Sequence, residues 1–334
     1  MTDPRPIDKA SATPAKSTLA KSTLERAADI FGPDPLGKAP AIDLSGLPAE
    51  PGKRVRRAKP ELATATPSEA QSPAPPAPLA PPSPALIPAR HGTIAADALA
   101  ARGMIVPGGP VTGIAEEYRI VKRELIRAIT GGPARPMVAR GHRILIASAN
   151  PGEGKTFCAV NLALSLAAEA DFDVVLIDGD IAKPSIVKTL GLADGPGLMD
   201  ALADPRLPLG DCLIQTDLPG LKVMPAGQPT SGDSELLASA RTDALLTSLE
   251  VGAPGRIILI DSPPILAASP AAVLAGHVGQ LVMVVRADTT LEASVRDAVG
   301  LVSACPHIQL LLNGVKFSAS GRRFGTYYGQ GSEA

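Results

Sequence analysis

The chain has 334 residues, 45% of them hydrophobic and 19% charged, and its 32 Lys+Arg against 33 Asp+Glu give a net charge of −1. That balance excludes a general electrostatic attraction to nucleic acid, and no run of about 18 uninterrupted apolar residues offers a bilayer span. Three cysteines, Cys158, Cys212 and Cys305, lack metal or pairing spacing, and no apolar leader opens the chain; the expectation is a soluble, cytoplasmic protein with reduced thiols.

Residues 1–92 are expected to be disordered. Twenty of the 35 prolines fall in residues 1–110, and runs such as Ser72-Pro73-Ala74-Pro75-Pro76-Ala77-Pro78 have neither periodicity nor aromatics to bury. The basic run Lys53-Arg54-Val55-Arg56-Arg57 reads either as solvated chain or as a contact for anionic lipid. Near residues 22–31, Ser22 is placed to cap a short helix carrying Leu24, Ala27, Ala28 and Ile30, with Glu25 closing a capping box. So short a helix is marginal in water, which leaves a fraying turn or a docking peptide that folds on a partner.

From residue 93 to about 318 the pattern is that of one folded α/β domain, followed by a flexible Gly/Tyr tail over 319–334. Helices are predicted over 94–102, 113–129, 157–169, 234–249 and 290–303. The second carries Ile114, Tyr118, Val121, Leu125 and Ile126 on one face. Strands are predicted at Arg143–Ala147, Asp173–Asp178, Leu221–Pro225, Arg256–Asp261, Gln280–Val285 and Gln309–Leu312. Several are continuous apolar runs rather than alternating ones, the pattern of strands buried on both faces of a parallel sheet. The helices between them supply the crossovers.

The first long apolar strand ends in Ser148-Ala149-Asn150-Pro151-Gly152-Glu153-Gly154-Lys155-Thr156 and runs into Phe157 and a helical pattern. Strand, tight glycine turn and helix start make the phosphate-binding loop of an NTPase. Gly152 and Gly154 let successive N–H groups turn inward, and the new helix adds the positive end of its dipole. Lys155 is placed to reach β- and γ-phosphates and the Thr156 hydroxyl to ligate Mg²⁺. Pro151, Gly152, Glu153, Gly154, Lys155, Thr156 and Phe157 are therefore the candidate nucleotide-binding set. Ala149 stands where such a loop has its first glycine.

Two further strands end in aspartate. Asp178 closes one, with Asp180 two residues on, and Asp261 closes another. Ligands of open α/β sheets bind outside the carboxyl ends of strands, and Mg²⁺ is satisfied by a hydroxyl and one or two carboxylates. Thr156, Asp178 and Asp261 are the candidate metal set.

Pro151–Thr156, Leu176–Ser185 and Ile258–Pro264 resemble the Walker A, A′ and B motifs of bacterial tyrosine kinases. The Asp-x-Asp-x-Ala-Lys-Pro form and the segment Glu117-Tyr118-Arg119 resemble the autokinase subgroup of exopolysaccharide loci associated with exosortase and PEP-CTERM proteins. The resemblance implies a P-loop NTPase with a mostly parallel central sheet flanked by helices, using ATP and Mg²⁺ to phosphorylate tyrosines of a C-terminal cluster on neighbouring subunits. It implies that Lys155 holds phosphates, that Thr156 and Asp261 organise Mg²⁺, and that Asp178 takes the tyrosine proton with Asp180 in support. Asn313 matches a position that contacts adenine in related ATPases, and equally suits an ordinary turn beside Gly314. Tyr327 and Tyr328, two of only three tyrosines, become the phospho-acceptors. Glu116, Arg119 and Lys122 fit an oligomerisation motif spaced along one helix edge, or a plain solvated face. The implied partners are a second copy in a ring, tyrosine-bearing protein substrates, and an inner-membrane chain-length or copolymerase protein that recruits the chain to the membrane. A partition-type switch ATPase of the ParA/MinD kind is the first alternative, although Asn150-Pro151 occupies the place of that group's signature lysine. A weakly active regulatory scaffold of the polysaccharide export machinery is the second.

Overall fold

The computed structural model describes residues 87–133 and 135–315. The expected helix near residues 22–31, the Pro-rich runs, and Tyr327 and Tyr328 lie outside the described residues. Strands β1 (Arg90–Gly92), β2 (Arg143–Ser148), β3 (Asp173–Asp178), β4 (Ile214–Thr216), β5 (Leu221–Met224), β6 (Arg256–Asp261), β7 (Gln280–Arg286) and β8 (His307–Asn313) form one sheet in the order β1-β4-β5-β3-β6-β2-β7-β8. Every neighbouring pair is parallel except β4 and β5, so β1 and β4 run against the other six.

The reason for this sheet is visible in its strands. β2 and β6 are buried at every residue, and β3 at all but the first. Successive side chains point to opposite faces, so an uninterrupted apolar strand needs cover on both. Leu145, Val175, Ile258 and Leu281 pack with Met199, Leu246 and Leu274 on one face. Ile144, Val174, Leu176 and Leu259 pack with Leu99, Leu125, Leu162 and Ile186 on the other. Each such side chain contributes roughly 1.5–3 kcal/mol by leaving water.

Helices α1 (Ala96–Ala101), α2 (Gly113–Thr130), α3 (Lys155–Ala167) and α4 (Ile186–Leu190) supply the second of these layers. Helices α5 (Leu198–Ala203), α6 (Asp233–Ala238), α7 (Ala240–Glu250), α8 (Pro270–Ala275) and α9 (Glu292–Leu301) supply the first. In α2 the Thr112 hydroxyl accepts the Ala115 N–H at 3.4 Å, and Gly131 at φ +66° ends the helix. The buried residues Tyr118, Lys122, Leu125 and Ile129 recur at helical spacing along its inner face.

The fold departs from the sequence reading in three places. The sheet starts at Arg90, inside the stretch 1–92 expected to lack structure, because β1 pairs in register with Ile214–Thr216. Both strands are three residues long, too short to show a period. The helix predicted over 234–249 is two helices broken at Ser239, whose extended backbone (φ −77°, ψ 161°) ends α6 and whose hydroxyl accepts the Arg241 N–H at 3.3 Å to start α7. Finally, β5 stops at Met224, one residue short of the predicted Pro225, which has no N–H for a ladder.

One polar anchor sets the entry of β2. Arg143 is 3% exposed. Its guanidinium donates to Glu250 Oε1 and Oε2 at 2.9 Å each, to Asp243 Oδ1 at 2.6 Å and to Thr247 Oγ1 at 2.9 Å. The forked pair with Glu250 holds the Arg143 pKa above its usual value despite the opposing effect of burial. Arg143→Ala is expected to cost about 2–3 kcal/mol, since it strands partly buried acids on α7. A urea denaturation midpoint at neutral pH checks this; an unchanged midpoint rejects the anchor.

Candidate functional site

Because β6 lies between β3 and β2, the carboxyl ends of the three motif-bearing strands are neighbours. Asp178 and Asp261 are directly opposite in the β3–β6 register, and Asp261 is opposite Ile146 of β2. What stands 83 residues apart in sequence (178 to 261) is thereby brought side by side by backbone pairing alone.

The loop leaving β2 curls through Gly152 at φ +80° and Gly154 at φ +97°. Both values lie in the region that disfavours any side chain. A Cβ on Gly154 would also collide with the Asn313 amide, so this glycine is required twice over. Lys155 is the first residue of α3, which puts the orphan N–H groups and positive dipole end of that helix at the loop.

Thr156 Oγ1 donates to Asp261 Oδ2 at 2.6 Å and accepts from the Ser185 hydroxyl at 3.3 Å. Lys155 Nζ stands 4.0 Å from Asp180 Oδ2, both groups mostly buried. Asp178, with no exposed surface, accepts the N–H groups of Ser185 at 2.8 Å, Ile186 at 2.9 Å and Asp180 at 3.2 Å. Burial raises the Asp178 pKa, with these backbone bonds acting against it. Burial also pushes Asp261 up to about 7, opposed by the Thr156 hydroxyl and Lys155 and helped by the charges of Asp178 and Asp180.

Magnesium and a nucleotide triphosphate fit these residues. Asp261 Oδ1 is buried with no hydrogen-bond partner, an orphaned hard oxygen of the kind a cation satisfies. Thr156 and Asp261 are the residues that would hold Mg²⁺, with Asp178 beside them.

Several expected site residues have different duties. The Glu153 side chain is 3% exposed and bonded within the protein, leaving only its backbone for a ligand. Asn313 Nδ2 donates to the Glu153 carbonyl at 2.9 Å, tying the end of β8 to the loop. Phe157 and Asn313 line one groove together with Tyr118, Val121 and Val315, next to the first turn of α3. The oligomerisation edge is corrected at Lys122: it is 6% exposed, donates to the Ser165 carbonyl at 2.8 Å and pairs with Glu169 at 2.5 Å within the same chain. Its long stem reaches across to α3, so helical spacing alone misplaced it on the outer edge. Glu116 and Arg119 pair with each other on the outer side of α2.

Asn150 stands in the phosphate loop and Ser185 closes the A′ motif, but what they bond is visible only in the fold, and no motif covers Thr290.

A family model described as the ParA-type NUBPL iron-transfer P-loop NTPase matches residues 140–228. The chain is 31% identical over 190 residues to the putative tyrosine-protein kinase EpsB of Ralstonia nicotianae, covering 57% of this chain and 24% of that protein. It is 26% identical over 194 residues to the putative tyrosine-protein kinase CapB of Staphylococcus aureus, covering 58% and 80%. The match thus spans about a quarter of EpsB and most of CapB. The solved kinase domain of the Escherichia coli tyrosine kinase ETK superposes with a TM-score of 0.54 at 25% identity, over 64% of this chain and 81% of that one. The phosphate loop and the paired strand-end aspartates agree with these relatives, and the chain is similar to bacterial tyrosine kinases.

Proposed function

We propose that the chain is a protein-tyrosine autokinase that transfers the ATP γ-phosphate to Tyr327 and Tyr328 and so regulates exopolysaccharide synthesis or export. The observation that carries this reading is the meeting of Thr156, Asp178, Asp180 and Asp261 at one phosphate loop, with Thr156 2.6 Å from Asp261 and Lys155 4.0 Å from Asp180. Bound MgATP supplies the phosphoryl group and the positive charge that offsets its developing negative charge. The chain supplies the rest. Loop N–H groups and Lys155 bind and orient the phosphates, while Thr156 and Asp261 hold the metal. Asp178 takes the phenolic proton late in transfer, with Asp180 supporting it and fixing Lys155. Burial raises the proton affinity of Asp178, which brings it closer to what a general base for a phenol needs.

Tyr118 is 6% exposed in the core, which supports the two tail tyrosines as acceptors. Glu116 and Arg119 are the ring-contact candidates that remain once Lys122 is committed inside the chain. The proposed setting is the cytoplasmic side of an inner membrane, reached through a chain-length or copolymerase partner. Among the described residues no helix is long and apolar enough to cross a membrane.

Incubation with ATP and Mg²⁺ followed by a phosphotyrosine blot tests the reading. The signal is expected to disappear in the double variant Tyr327→Phe, Tyr328→Phe. A signal that persists there rejects the tail as acceptor. The ParA-type match over residues 140–228 favours a second reading, a nucleotide-switch ATPase of ParA/MinD type or a weakly active scaffold. Phosphate release without any phosphotyrosine would select it.

A further inference from the structure

Glu153 lies in the phosphate loop, yet its carboxylate is spent inside the protein. It accepts the Asn150 backbone N–H at 2.9 Å, Asn150 Nδ2 at 3.1 Å and the Thr290 hydroxyl at 2.7 Å. These donors are all neutral, and the residue is 3% exposed. Burying a carboxylate among neutral donors costs several kcal/mol relative to water unless its hydrogen bonds are well made. Its bonds must therefore hold something in place.

What they hold is the curvature of the loop. The Asn150 N–H and the Glu153 side chain bracket Pro151 and Gly152, so the bond fixes the dihedrals of the turn whose N–H groups form the anion nest. The far side of the clamp is rigid as well. Thr290 Oγ1 accepts the Arg286 N–H at 2.9 Å, the Ala287 N–H donates to the Asn313 carbonyl at 2.9 Å, and Asn313 Nδ2 returns to the Glu153 carbonyl at 2.9 Å. The loop is thus pinned to the turn between β7 and α9 by the Glu153 side chain and to the end of β8 by the Asn313 side chain.

We infer that Glu153, clamped by Asn150 and Thr290, is a positioning residue that shapes the loop for the phosphates of a nucleotide and leaves recognition of the base untouched. This rests on reading the loop as a nucleotide-phosphate site, and does not depend on the acceptor being tyrosine.

The test uses the full chain with Mg²⁺ and the fluorescent nucleotide mant-ATP, with unlabelled adenosine as competitor. In Glu153→Ala the mant-ATP Kd is expected to rise on the order of tenfold to a hundredfold, the range found when a group that only orients a ligand-binding group is removed. The adenosine inhibition constant is expected to stay where it was. Glu153→Gln should recover most of the loss, because its amide oxygen can accept the Asn150 N–H while its NH2 donates to Thr290 Oγ1 and, once the Asn150 amide turns over, to Asn150 Oδ1. Thr290→Val should show a smaller loss that adds nothing to Glu153→Ala, the non-additivity of groups sharing one network. Unchanged mant-ATP affinity in Glu153→Ala overturns the inference. So does an equal loss for adenosine, or a loss that Glu153→Gln fails to recover. Should Glu153→Ala not fold, Thr290→Val alone decides: unchanged mant-ATP affinity overturns the inference and a selective loss supports it. A wild-type chain that binds mant-ATP but makes no phosphotyrosine removes the kinase reading and leaves this one standing. One that binds no mant-ATP overturns both.

Discussion

Replacing Lys155 by Ala is expected to reduce ATP-dependent phosphorylation by at least about a hundredfold, the usual effect of deleting one preorganised charged donor from a phosphoryl-transfer site. Lys155 sits at the first position of α3, mostly buried, with its ammonium 4.0 Å from Asp180. Little solvent competes with it there, so a phosphate oxygen gains an undiluted charge. The same substitution removes the cation beside Asp180, and the apo protein should lose stability modestly rather than gain it. A phosphotyrosine blot, or phosphate release, against the wild type reads the effect. Activity within a factor of about three of wild type would remove Lys155 from the site.

Asp261→Asn carries the second large effect, and its signature is in pH. Burial pushes the Asp261 pKa up to about 7 from a reference of 3.8. Between those values the folded chain holds a proton that the unfolded chain has released. Without ligand, stability should therefore fall as pH rises from about 4 to about 7, then level off, a linkage on the order of a few kcal/mol. Asp178, raised by burial as well, acts in the same direction. Asn carries no charge to desolvate. The variant is expected to melt several degrees higher than wild type at pH 8, with a shallower slope below pH 7. It should also lose the extra thermal stabilisation that Mg²⁺ adds to bound nucleotide, since Asp261 Oδ1 is the oxygen without a partner. Parallel melting curves at pH 5 and pH 8, with and without Mg²⁺ and ATP, measure both. A variant with the wild-type pH slope and wild-type Mg²⁺ response would remove Asp261 as a metal ligand.

The apparent conflict between stability and function at Asp261 is the ordinary condition of a metal site. A carboxylate that the empty fold would rather protonate is ready to be ionised by a cation. The two predictions are linked through it, because Lys155 opposes the Asp261 shift.

Much of this architecture is legible in the sequence because its signals are local. The apolar runs Ile144–Ala147, Val174–Ile177 and Ile257–Ile260 mark doubly covered strands with little ambiguity. The glycines at 152 and 154 announce a turn that only they can make, since both positions have φ near +80° to +97°. Aspartates that end two such runs fall at strand tips by construction, and strand tips are where an open parallel sheet binds ligands. Lys155, Thr156, Asp178, Asp180 and Asp261 needed nothing further to be chosen.

Only the tertiary structure decided which groups those residues meet. Strand order is a global property: nothing within β6 says that it will lie between β2 and β3, yet that placement alone sets Thr156 2.6 Å from Asp261. Three-residue strands such as β1 and β4 are stabilised by their partners rather than by any pattern of their own. Side-chain length and direction defeated helical spacing at Lys122, which turns inward to Ser165 and Glu169. Glu153 reads as a ligand-facing residue in the motif and is instead a buried brace, because Thr290 arrives from the turn before α9 to join the local donor Asn150. Periodicity and backbone preference act over a few residues and are written in the sequence. Hydrogen-bond partners separated by a hundred residues exist only once burial has chosen the packing.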